Sequence, residues 1–212
     1  MNHEQRTKIA RRDNVQLSAR VIRNIAEIEA DFYHAAGPVS DRIMLEAVQL
    51  ITKIATPPWQ VIEAGSSAQI VCPEWKMTRG VGIGDMWLEL SEFSADEDDR
   101  DHSWLAAAVK AGPTQLCIEL MFRNGLRDLS KVTLRDDKAV AELLKLGFVR
   151  DETDQQFFVP IDIPAELLAQ GFEQNDLDAA LAPVGKALEK AIAAKGELDK
   201  LLEKVRAAAK RP

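Results

Sequence analysis

Cysteine is nearly missing from this chain: two of its 212 residues, Cys72 and Cys117, far apart in sequence. Two thiols so placed make neither a disulfide framework nor a zinc-binding spacing. The three histidines, His3, His34 and His102, are equally scattered. No metal, no cofactor and no catalytic residue is therefore expected, since a ligand set or a nucleophile–base pair needs such groups clustered. Long apolar runs are lacking too. None approaches the roughly 20 residues needed to cross a bilayer, and the N-terminal MNHEQRTKIARRDN is basic without the apolar stretch of a secretory signal. Those absences point to the cytoplasm and to no membrane partner. Positive charge is in deficit, with 27 Lys and Arg against 34 Asp and Glu, a formal net charge of −7. Nucleic-acid binding rests on neutralising many phosphates, so a nucleic acid is a possible partner but not the favoured one. Basic clusters at Arg6, Lys8, Arg11 and Arg12, and at Lys204, Arg206, Lys210 and Arg211, read as solvated ends of the chain.

What is present is a core. Hydrophobic residues make up 46% of the chain and charged residues 29%, which suits a folded protein rather than a disordered tail. Leu17, Val21, Ile25, Ile28 and Phe32 recur at steps of four, four, three and four, one face of a helix. Ala35-Ala36-Gly37-Pro38 stops it. Ser40 is placed to cap a second helix carrying Ile43, Ala47, Leu50, Ile51 and Ile54, which ends before Pro57-Pro58. The pair is expected to form an antiparallel hairpin, packed on the sheet through Ile25, Ile28 and Leu50.

The middle of the chain changes period. Trp59 to Ile62, Ala68 to Cys72, Met86 to Phe93 and Gln115 to Phe122 are short runs rich in Val, Ile, Leu, Trp and Phe, bounded by Gly, Pro and Ser. They read as strands. Helices are expected from Ser103 to Lys110 and from Lys138 to Leu146, then a hairpin from Phe148 to Val159. Strands that follow one another closely imply an α+β fold: a largely antiparallel sheet with an N-terminal helical hairpin and a long C-terminal amphipathic helix. Residues 1–172 form the expected core domain, and 173–212 the C-terminal helix.

That last segment carries a heptad seam: Leu177, Leu181, Val184, Leu188, Ala191, Lys195, Leu198, Leu202, Val205 and Ala209 alternate steps of four and three. Pro183 suits a first helical position, so the helix is expected to start there. A narrow stripe either braces the chain's own domain or pairs with a second chain. Leu188, Leu198, Leu202 and Val205 are the expected interface, and a homodimer or another protein is the expected partner.

Two constellations suggest other classes. Arg79-Gly80-Val81-Gly82-Ile83-Gly84 resembles the pyrophosphate loop of the GCN5-related acyltransferases, with Arg79, Gly82 and Gly84 at the family's positions, and Leu146-Gly147-Phe148 is similar to that family's late turn. The resemblance implies a CoA-dependent acyltransferase-like domain with a helix directly after the glycines. Asp85 to Phe93 reads as a strand instead. Asp85, Glu89 and Glu119 on central strands loosely resemble the PD-(D/E)XK nucleases, which implies carboxylates converging on Mg²⁺. The family's lysine is missing, since Leu120-Met121 follows Glu119 and Leu90-Ser91 follows Glu89. The acidic stretch Asp96 to Asp101 lacks a calcium-loop spacing and reads as a solvated loop. The favoured reading is a non-enzymatic intracellular interaction or regulatory protein that acts through its C-terminal helix.

Overall fold

The computed structural model describes residues 15–64, 67–76, 83–94, 104–135, 138–151 and 156–210. Residues 15–23 are helical up to a tightened turn at Asn24, and α1 (Ile25–His34) continues them. A π turn (Ala35–Val39) leads into α2 (Ser40–Ile54). Then come β1 (Gln60–Ala64), β2 (Ser67–Val71), a 3-10 turn (Pro73–Trp75), β3 (Met86–Ser94), α3 (Trp104–Ala108), β4 (Thr114–Phe122), α4 (Asn124–Thr133) and α5 (Lys138–Lys145). The chain closes with β5 (Val149–Arg150), β6 (Phe157–Pro160), α6 (Ala165–Gln174), α7 (Asp178–Ala193) and α8 (Lys195–Ala209).

The fold is α+β, as the alternation of periods implied. Its strands form one antiparallel sheet in the order β1-β2-β3-β4-β6-β5. Side chains alternate across a strand, so Met86, Leu88 and Leu90 of β3 go into the core while Trp87, Glu89 and Ser91 take the other face. The register sets Ile70 beside Leu88, Leu88 beside Leu120 and Leu120 beside Phe157. Those rows join one apolar cluster with Ile43, Ala47 and Ile51 of α2 and Val184 and Leu188 of α7. α2 and α7 approach closely at Gly185, where a Cβ would lie 3.0 Å from Ile54 Cδ1.

Two connections differ from the sequence reading. The N-terminal helices are present, but no reversal separates them. The backbone stays right-handed helical at His34 and at Ser40, on either side of the π turn. Pro38 lacks the amide that an α-helical ladder would use, and the wider turn spans that gap. Ser40 is not a cap: its Oγ donates to the Ala35 carbonyl at 2.7 Å and accepts from the Leu105 amide at 3.2 Å. Consequently α1 is not laid on the sheet, and Ile25 and Ile28, expected in the core, are exposed.

At the other end, the seam is split. Ala194 leaves the helical region with φ −78° and ψ 1°, so α7 and α8 are separate helices. α7 begins at Asp178 and holds Pro183 inside it rather than at its start. Residue 172 falls within α6, and Leu177 to Val205 contribute to the same apolar cluster as the sheet.

Candidate functional site

Asp85 sits at the entry to β3 and is almost fully buried. Its Oδ1 accepts from Arg123 Nε, just after β4, and its Oδ2 from Arg206 Nε of α8 at 2.8 Å. Arg206 spends its other nitrogens on the carbonyls of Glu74 and Lys76, at 3.0 and 3.1 Å. The backbone converges on the same point: the Asp85 amide donates to the Trp75 carbonyl at 2.8 Å, and the Arg123 amide to the Asp85 carbonyl at 3.2 Å. A buried carboxylate shared by two guanidiniums is compensated where it stands. A cleft of about 390 Å³ opens here between Arg123, Leu126, Arg206 and Lys210. Its Asp85 and Arg206 are committed to each other, and what they do is fasten α8 to the end of the sheet.

Glu89 and Glu119 are direct neighbours across β3 and β4, on the face opposite Leu88 and Leu120. Glu89 accepts from Trp87 Nε1 at 2.7 Å, Ser67 Oγ at 3.0 Å and Gln69 Nε2 at 3.3 Å. Glu119 is buried beneath the same face, which also carries Phe93 stacked on Phe158 at 4.4 Å. Two of the three carboxylates singled out from the sequence are thus brought together, and the third is held apart by its arginines. Among the described residues no group of three or more His, Cys, Asp or Glu side chains is placed to hold a metal ion.

The thiols offer no nucleophile. Burial pushes Cys72 up to about 12, with a hydrogen bond to Glu74 adding to the effect. Cys117 is raised further, first by burial and then by the charge of Glu119, and its Sγ lies 3.5 Å from the Ser91 carbonyl. A thiol that stays protonated neither attacks nor ligates.

Of the acyltransferase-like run, Arg79 and Gly82 lie outside the described residues, as do His3, His102 and the acidic stretch 96–101. Gly84 is explained by packing. A Cβ there would meet the carbonyl oxygens of Met86 and Trp75 at 2.9 Å, and the next element is β3, not a helix whose amides face an anion. Gly147 adopts a φ of +97°, the left-handed turn a glycine permits after α5.

The four expected interface residues are where the C-terminal helices meet the rest of the chain. Leu188, Leu198, Leu202 and Val205 are all buried within the single chain, α8 lying on α4 and α5 and α7 on α2 and α6. Their stripe is covered in cis, so it presents no surface to a second molecule in this fold. The uncovered apolar stripe is at the other end. Leu17, Ile25, Ile28 and Phe32 are between 41% and 56% exposed, no residue of α1 is buried, and none joins the core. The helical spacing of these residues was plain in the sequence; what was not is that the chain leaves them bare.

Comparison with protein-family models, with curated proteins and with solved structures finds no match. Among the described residues no helix is long and apolar enough to cross a membrane.

Proposed function

We propose that this is a non-enzymatic interaction protein, an α+β body that presents its N-terminal helix to a helix of a protein partner. One observation carries the reading: residues 15–34 form a helix whose apolar side is left in water. A helix of that length is marginal on its own, and in proteins most helical stability comes from packing an amphipathic face. The expected contact therefore moves from the C-terminal helices, which are spent on the core, to the N-terminal one. A regulatory role and a cytoplasmic setting belong to the same proposal and rest on composition.

The test is a photo-reactive benzoylphenylalanine in place of Phe32, irradiated in living cells. The expected result is a discrete protein adduct, identified by mass, that disappears when Ile25 and Ile28 are changed to Asp. The same label at exposed Val132 on the body gives the background, and no adduct above it overturns the reading. Acetyl-CoA, and Mg²⁺ with DNA, should leave the melting temperature unmoved, because a ligand that binds only the folded state raises it.

A further inference from the structure

The exposed helix is ordered in charge as well as in apolarity. Arg20 and Arg23 stand in its first half, and Glu27, Glu29 and Asp31 in its second. A helix with a basic half and an acidic half is complementary to itself when turned end for end. The apolar residues obey the same symmetry. About a centre at Ile25, Val21 falls opposite Ile28, Leu17 opposite Phe32 and Arg20 opposite Asp31, each to within one residue. The apolar pairs are centred between Asn24 and Ile25 and the Arg20–Asp31 pair between Ile25 and Ala26, so the two registers agree to within one residue.

Resting on the reading of this helix as the contact element, we infer that it pairs antiparallel with the same helix of a second copy of the chain, about a two-fold axis at Ile25. An isologous pair of this kind is closed, because each residue meets its counterpart once and no surface is left to propagate. A parallel pair would set Arg20 beside Arg20 and Asp31 beside Asp31, which like charges oppose. An anionic lipid surface would suit Arg20 and Arg23 but would repel the acidic half, whereas helices that lie on membranes carry Lys and Arg along the polar face. The body tolerates the pairing without rearrangement, since no residue of α1 is needed by the core.

The experiment uses the full chain and two single substitutions to cysteine, relying on the burial of Cys72 and Cys117 to keep the native thiols silent. Asn24→Cys lies next to the axis. Ser18→Cys lies seven positions from it, which puts the two copies of that residue about 20 Å apart in an antiparallel pair and side by side in a parallel one. Light scattering should show a dimer, with a disulfide under oxidation at Asn24→Cys and none at Ser18→Cys. Arg20→Glu should weaken the dimer roughly tenfold or more, and adding Asp31→Arg should restore it. Crosslinking at Ser18→Cys overturns the antiparallel arrangement while leaving the helix as the contact element. A chain that stays monomeric at every concentration overturns self-pairing. The Phe32 photo-adduct then separates the remaining cases: a different protein keeps the wider reading, and no protein adduct removes both. Flotation of a monomer with phosphatidylserine vesicles, abolished by Ile25→Asp, would replace the second copy with a lipid surface.

Discussion

The indole Nε1–H of Trp75 donates to Asp199 Oδ1 at 2.7 Å, joining residues 124 positions apart. Trp75 is fully buried, edge-on to Trp59 with ring centroids 5.0 Å apart. The other oxygen of Asp199 takes Lys195 Nζ at 2.8 Å, and Lys195 also lies 3.8 Å from Glu74. With Arg206 on Asp85, these contacts hold α8 at two points along its length.

The Lys195 contact gives the latch an alkaline limit. Its pKa is raised above 10.5, first by the hydrogen bond to Asp199. A lysine that holds its proton more tightly folded than unfolded contributes fully below its ordinary pKa and loses that contribution as pH rises through the raised one. The difference in melting temperature between wild type and Lys195→Met should hold steady from about pH 7 to 9 and shrink above pH 10.5. A difference that grows in alkali would contradict the assignment.

Removing the carboxylate at Asp85 should destabilise. Breaking a fully buried ion pair costs about 3–5 kcal/mol, and the partial exposure of Arg123 and Arg206 brings Asp85→Ala to roughly 2–4 kcal/mol. For a chain of this size that is a fall of roughly 4–16 °C in Tm. Chemical denaturation of Asp85→Ala measures it directly. A variant as stable as wild type would mean that the two arginines are not held by this group.

The C-terminal leucines should behave as core. Leu198→Ala is expected to cost roughly 2–5 kcal/mol, as truncation of a buried leucine does. Replacing Leu198 and Leu202 together with Asp should unfold the protein rather than release a soluble monomer. Circular dichroism decides: native-like helicity in the double variant would return the seam to an intermolecular role.

Two glycines should respond in opposite directions to alanine. At Gly84 the new Cβ runs into backbone oxygens at 2.9 Å, and overpacking of that kind costs typically about 1–3 kcal/mol. At Gly196, near the start of α8, nothing lies within 4 Å, so Gly196→Ala should stabilise by roughly 0.4–1 kcal/mol. Equal effects at the two sites, read by thermal melts, would sink the packing account of the glycine run.

The strands were legible because a two-residue period survives any tertiary arrangement: Met86, Leu88 and Leu90 point one way whatever covers them. The seam from Leu181 to Val205 was equally legible as spacing. Its cover was not, because a heptad stripe looks the same whether α4 and α5 or another chain lies over it. α4 is hidden locally because Asn124-Gly125 reads as a turn, although Leu126, Leu129 and Leu134 carry an apolar spacing after it. The role of Asp85 depends on arginines 38 and 121 positions away, a relation that no local pattern encodes. Ile25 and Ile28 form the helix face that their spacing predicts but do not enter the core, because amphipathicity tells which side seeks cover and not whether the same chain provides it.

The π turn at Ala35–Val39 also fixes an azimuth. In an unbroken α-helix, stepping about 100° per residue, the side carrying Ile43, Ala47 and Ile51 would lead the side carrying Val21, Ile25, Ile28 and Phe32 by roughly a quarter turn. One wider turn takes up about that angle. By that count the bare stripe comes into line with the side of α2 that carries Ile43, Ala47 and Ile51. Deleting one residue from the turn would swing the stripe by about 100° out of that line without altering a side chain on it.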